Sequence, residues 1–346
     1  MIKKLFNGVT IASVIILMIT ISYTALFPQE KKEAAAKEEV KKEIRDDSLM
    51  EGLTGSTVGE KSGYLAEIFL DLPENISEEN VIIEEEPMER FITISVKGAG
   101  EEYFDTNPLS GRADHIKDIR YETDGDTGVI KIYLDSVYAY DETFSEGALS
   151  LGFLKPKDKY KQVVVIDAGH GGKDGGTADN GAVEKDLDLA IALKLKDIFD
   201  LNQSDEVKVY YTRLTDKAVS VKKRTDFANE TGADIFLSIH NNSLNGAENA
   251  YVNGTQIMCY TTENENESGE FAKILMKNLT GRLESKDMGI ISGNNIYVLK
   301  NTKMTAALCE IGFMSNPDDV KKLQDEEYQR SAAEALYESI KEELLK

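Results

Sequence analysis

VVVIDAGHGGKDGG, residues Val163–Gly176, is the stretch on which the fold turns. Four aliphatic residues run straight into a turn that holds Asp167, His170 and five glycines. A buried strand ending in such a turn can cradle a phosphate, present a metal ligand or simply bend the chain. The phosphate reading fails on detail. A P-loop needs GxxxxGK[ST], whereas Gly172-Lys173 is followed here by Asp174 and the first glycine position is held by Asp167. The dinucleotide pattern GxGxxG likewise meets Asp174 where its last glycine belongs.

Outward from this stretch, strands and helices alternate from Tyr160 to the C-terminus. QVVVID reads as an apolar strand, and in the following EKDLDLAIALKLKDIF the residues Leu187, Ile191, Leu195 and Ile198 recur at helical spacing. VKVYYTR is the next strand, VSVKKRTDFANETG a helix closed by Gly232, and DIFLSIH a further strand. GTQIMCY, a helix over 267–284, IYVLK and TAALCE as strands, and helices from Pro317 complete the series. The pattern predicts an α/β fold for residues 160–346, a largely parallel or mixed twisted sheet flanked by helices, with its site at the carboxyl ends of the strands.

The remainder divides by composition. Gly8–Phe27 is a run of 20 residues without a charge, the length of a bilayer core, and no convincing cleavage site follows it. Residues 1–29 are therefore expected to be a transmembrane anchor or signal-anchor. The charged tract at 30–51, with KEAAAKEE in it, is expected to be a helical spacer. Residues 52–157 carry short β-branched and aromatic runs such as RFITISVKG and GVIKIYLDSVYAY between turn clusters, and predict a small β-sandwich. Its one histidine, His115, reads as a surface residue beside a turn. A net charge of −22 disfavours nucleic acid as a partner, because phosphate backbones would be repelled. Cys259 and Cys309 sit singly in apolar runs and read as core residues.

Two of the three histidines, His170 and His240, fall at carboxyl ends of predicted strands, on the same sheet edge. That convergence favours a metal site or an acid/base pair. Glu184, at the mouth of the first helix, is either an acid complementing the helix dipole or a third ligand of a His₂Glu set. Glu310 ends the apolar run TAALCE at the same edge. A buried carboxylate there is costly unless it is used, and it reads as a general base.

Five blocks, VVIDAGHGGKDGG, GAVEKDLDLAIALKLKDIF, YYTRLTD, KKRTDFANETGADIFLSIHNN and MTAALCEIGFMSNPDD, together resemble, in order and spacing, the zinc-dependent N-acetylmuramoyl-L-alanine amidase family of cell-wall hydrolases. The resemblance spans about Val163 to the C-terminus. It implies Zn²⁺ bound by His170, Glu184 and His240, with Glu310 catalytic, and peptidoglycan as the substrate. Ala168 departs from the family's usual proline, which loosens the turn entry without removing a ligand. Ile116–Leu154 is similar in strand pattern to the AMIN domain, a β-sandwich that in its family binds the cell wall. The implied location is the bacterial envelope, with the catalytic domain outside the membrane, although lysines and arginines are more numerous after the anchor than before it. A zinc carboxypeptidase or endopeptidase acting on the stem peptide, and a non-catalytic wall-binding protein, are the alternatives. The sequence names no protein activator.

Overall fold

In the computed structural model the described residues are 63–346 other than 75, 101–102, 146, 247–248 and 262–266. The expected anchor and spacer, 1–51, lie outside them. Among the described residues no helix is long and apolar enough to cross a membrane.

The first layer is all antiparallel. Strands β1 (Ala66–Asp71), β4 (Ser110–Arg112), β7 (Ala139–Ser145) and β8 (Ala148–Leu154) form one sheet in the order β4-β1-β8-β7. Strands β2 (Val81–Glu86), β3 (Phe91–Lys97), β5 (Ile116–Asp124) and β6 (Thr127–Leu134) form a second, ordered β2-β3-β6-β5. Alternation puts Ile92, Ile94 and Val96 of β3 and Ile130 and Ile132 of β6 on one inward face. Ile68, Leu70, Leu149, Leu151 and Phe153 of the other sheet meet them in a shared core. A one-residue slip in any of these strands would turn its apolar set to water, so the alternation also sets the register. A short helix, α1 (Tyr103–Thr106), places Phe104 in that core.

After a one-turn helix α2 (Pro156–Lys159), β9 (Gln162–Ala168) opens the second layer. A small hairpin, β10 (Ala178–Asp179) with β11 (Ala182–Val183), leads into helix α3 (Glu184–Leu201). Then follow β12 (Val207–Tyr211), α4 (Val221–Thr231), β13 (Ile235–Asn242), β14 (Thr255–Cys259), α5 (Glu267–Leu283), β15 (Asp287–Ser292), α6 (Tyr297–Asn301), β16 (Thr305–Phe313), α7 (Pro317–Leu323) and α8 (Glu326–Leu344). The sheet runs β12-β9-β13-β16-β14-β15. Its first four strands are parallel, β14 reverses against β16, and β15 runs parallel to β14. The sheet is therefore mixed.

Both faces of the central strands are buried, which is why they read as continuous apolar runs. Val164 and Ile166 of β9, with Leu237 and Ile239 of β13, pack under Leu187, Ile191 and Leu195 of α3, Phe271 and Leu275 of α5 and Leu336 of α8. On the opposite face Val163, Val165 and Phe236 meet Phe227 and Ala228 of α4 and Val298 and Leu299 of α6. Cys259 and Cys309 are free thiols in the first of these cores. Helix α4 begins with the Ser220 hydroxyl accepting from the Lys223 N–H and ends at Gly232 in the left-handed region.

Two elements depart from expectation. IYVLK, read as a strand, is mostly the helix α6. Its β-branched content favours a strand, but burial of Val298 and Leu299 and the bonds from Asn301 Nδ2 to Tyr297 O and Thr302 Oγ1 to Val298 O favour a helical turn. The sheet edge is instead β15, which the sequence pattern did not mark because Ile290 and Ile291 are its only large aliphatics and both are more than a third exposed.

The β2–β3 turn docks on the second layer. Met88, with Val137, joins the core formed by Val163, Val165 and Phe227. Around it Glu89 pairs with Lys217 and Lys223, Arg90 forms a two-pronged pair with Glu230 at 2.9 and 2.7 Å, and Glu85 pairs with Lys208 at 2.6 Å.

Candidate metal centre

The carboxyl edge of the parallel strands gathers the four residues singled out from the sequence. His170 lies just past β9, Glu184 is the first residue of α3, and His240 and Glu310 face each other in register on β13 and β16. Strand β16 runs three residues beyond Glu310 rather than ending there. Glu184 Oε1 is 3.1 Å from His170 Nε2 and 3.0 Å from His240 Nδ1. The two imidazoles stand edge to face with ring centres 4.8 Å apart.

Two of the ligand candidates, His170 and Glu184, are aimed by a second bond. His170 Nδ1 meets Asp174 Oδ1 at 2.9 Å, which orients its Nε2 toward Glu184. Glu184 Oε2 accepts from the Thr177 N–H at 2.8 Å. Gly176 allows this approach: with φ +64, a Cβ there would lie 2.5 Å from Glu184 Oε2 and 2.8 Å from His170 Nε2. His170 itself has φ 56, a conformation costly for a non-glycine residue and concentrated at functional sites.

Two buried arginines hold that strained turn. Arg213 donates to the carbonyls of Ala168, Gly169 and Lys185, and Arg224 to those of Ala168 and His170. Ala168, which stands where the resemblance expects proline, is thus fixed through its carbonyl by two guanidinium groups. Arg224 also pairs with Asp167, whose other bonds come from Thr212 at 2.6 Å and Ser238 at 2.7 Å. Asp167 supports the site and is not among the converging ligand atoms.

Burial alone would raise the Glu184 carboxyl, but the hydrogen bonds from His170 and His240 prevail and hold it well below the usual carboxylate range. Burial would lower His170; its bonds to Glu184 and Asp174 raise it instead. Glu310 is only 8% exposed, and its Oε2 is buried without a hydrogen-bond partner among the described residues. Burial pushes its carboxyl up to about 7. All four residues line one cavity of about 900 Å³, with Val221 and Tyr297 on its rim.

Ligands held tetrahedrally at zinc's bond lengths of roughly 2.0–2.2 Å stand about 3.3 Å apart, close to the 3.1 and 3.0 Å that separate Glu184 Oε1 from the two imidazoles, so the donor set suits a zinc ion. Among the described residues the cluster able to hold a metal comprises His170, Glu184, His240 and also Asp188. Asp188 was not foreseen, nor were Asp174, Arg213 and Arg224. A signal existed for Asp188, which follows Glu184 by one helical turn and so shares its face.

Two imidazoles and a carboxylate that could hold a metal ion meet at one point at the carboxyl edge of an α/β sheet, faced by an acid whose Oε2 has no hydrogen-bond partner among the described residues. A model of the N-acetylmuramoyl-L-alanine amidase family matches residues 164–342, and the chain belongs to that family. It is 33% identical over 179 residues to the uncharacterized protein YqiI of Bacillus subtilis (strain 168), across 52% of this chain and 83% of that protein. It is 36% identical over 172 residues to the N-acetylmuramoyl-L-alanine amidase CwlM of Bacillus licheniformis, across 49% of this chain and 64% of that one. Among solved structures, the catalytic domain of CwlV, an N-acetylmuramoyl-L-alanine amidase from Bacillus (Paenibacillus) polymyxa var. colistinus, shares 34% identity over 53% of this chain and 98% of that one, with a TM-score of 0.49.

Proposed function

We propose that the chain is a zinc-dependent peptidoglycan hydrolase that cleaves the amide joining the lactyl group of N-acetylmuramic acid to L-alanine. The observation that carries this reading is the convergence of His170, Glu184 and His240 in a cavity where Glu310 Oε2 is buried without a hydrogen-bond partner among the described residues. A zinc ion held by the first three would supply Lewis acidity toward the scissile carbonyl and make a water more acidic. Glu310 takes the proton of the attacking water as its oxygen bonds to the carbonyl carbon. The same carboxyl then passes that proton to the alanine nitrogen as the C–N bond breaks. The products are a lactyl carboxylate and a free L-alanine amino terminus.

Purified peptidoglycan digested with the chain is expected to show newly freed L-alanine amino termini by mass spectrometry, and none after a chelator is added. New termini elsewhere in the stem peptide would mark a carboxypeptidase or endopeptidase, and no cleavage at all a binding protein. In the same proposal residues 1–29 anchor the chain, 30–51 space it from the membrane, and domains 52–157 and 160–346 work on the wall outside. The uncharged run Gly8–Phe27 and the location of the substrate support this placement. Protease added to intact spheroplasts is expected to degrade both domains; complete protection would reverse the topology.

A further inference from the structure

The metal centre leaves one buried carboxylate without a role. Asp188 lies on α3, one turn after Glu184, and is fully buried. Its Oδ1 accepts from Asn241 Nδ2 at 2.8 Å, while its Oδ2 has no hydrogen-bond partner among the described residues. An unpaired buried carboxylate oxygen is among the costlier features a protein retains, and such groups call for an explanation.

Gly169 shows where that oxygen points. A Cβ on Gly169 would lie 2.5 Å from His240 Nε2 and 2.7 Å from Asp188 Oδ2, so both atoms border the space this glycine leaves open. The opposite nitrogen of the same ring, Nδ1, is the one turned to Glu184 Oε1. When Nδ1 serves as a metal ligand the neutral imidazole carries its proton on Nε2, which then needs an acceptor.

We infer that Asp188 is a positioning residue for the metal centre: its Oδ2, which borders the same gap as His240 Nε2 and is unbonded in this structure, is the acceptor for the Nε2–H once Nδ1 is on the metal, and so sets the tautomer and orientation that present Nδ1. This rests on the zinc reading given above. Asp188 is assigned to the outer side of the imidazole rather than to the metal, because a fourth protein ligand would close the position hydrolysis needs open. Outer carboxylates of this kind fix the ring and raise the basicity of the ligating nitrogen.

The test uses the full-length chain and measures zinc affinity by competition with a fluorescent chelator, for the parent, Asp188→Ala and Asp188→Asn. Asp188→Ala is expected to weaken zinc binding by about 10–100-fold. Asp188→Asn, isosteric and still able to accept from Nε2–H through its amide oxygen, is expected to recover part of that loss. In nitrogen-15 spectra of the zinc-loaded chains, the His240 Nε2–H resonance is expected downfield in the parent and shifted upfield in Asp188→Asn. That readout does not move if Asp188 merely braces Asn241, and the asparagine variant keeps the question open to measurement should the alanine variant fold poorly. Zinc affinities within twofold of the parent, with an unchanged Nε2–H resonance, would overturn the inference while leaving the zinc site standing. A parent chain that binds no zinc would overturn the metal reading itself, and this inference with it.

Discussion

Glu310→Gln is expected to bind zinc as the parent does and to release stem peptide about 10²–10⁴-fold more slowly, the usual contribution of a positioned base. Glutamine keeps the volume and polarity of the side chain but cannot carry the proton from water to the departing nitrogen. Cleavage at the parent rate would remove Glu310 from the mechanism. The same substitution makes a thermodynamic prediction for the zinc-free chain. In the folded state burial raises the Glu310 carboxyl from 4.5 to about 7, so between those values the folded chain holds a proton that the unfolded chain releases. The contribution of Glu310 to the stability of the parent therefore falls as pH rises through that window, by roughly 3 kcal/mol at its upper end, and is unchanged below it. Glu310→Gln lacks this dependence. Urea unfolding of both chains at pH 4.5, 5.5 and 7 in the presence of a chelator measures the difference; parallel pH profiles would contradict it.

Arg224→Met is expected to cost about 3–5 kcal/mol of folding stability. Its guanidinium and the Asp167 carboxylate are 4% and 1% exposed, so methionine fills the volume but leaves a buried charge uncompensated. Burial works to raise Asp167, and Arg224, Thr212 and Ser238 together hold it below the usual range. With the arginine gone two neutral hydroxyls remain. Adding Asp167→Asn to the methionine variant removes the stranded charge and is expected to restore part of the loss, as coupled partners do in a double-mutant cycle. Denaturant unfolding of the three variants reads both values. A cost below about 1 kcal/mol for Arg224→Met would mean that the pair contributes little.

The case of Arg224 shows why part of the site was hidden. In KKRTDF it looks like one of three cations on a solvated helix, and in YYTRLTD Arg213 looks like the polar end of a strand. Only the fold turns both inward onto the carbonyls of Ala168, Gly169 and His170. His170, His240 and Glu310 were legible because each follows or ends an apolar run whose strand character brings its carboxyl end to the sheet edge. Glu184 was ambiguous on its own, since an acid in a first helical turn has an ordinary explanation in the helix dipole. In the structure it also stands 3.1 and 3.0 Å from the two imidazoles, a relation the sequence does not show. The edge strand Asp287–Ser292 and the helix Tyr297–Asn301 escaped for a related reason: local composition is weakest where neighbours decide the conformation.

The alternation of apolar runs with helical periodicity was enough to determine an α/β layer after Tyr160 and a β-rich layer before it, because burial of one face or both leaves its period in the sequence. The histidines, the glycine turn and Glu310 were likewise set by the chain itself. What only the tertiary structure decided is which atoms meet: that Nε2 of one imidazole and Nδ1 of the other turn to the same carboxylate oxygen, that two arginines clamp the turn, and that Asp188 Oδ2 and His240 Nε2 border the same gap at Gly169. Those are relations between side chains far apart in sequence, and hydrophobic period carries no information about the direction in which a polar group points.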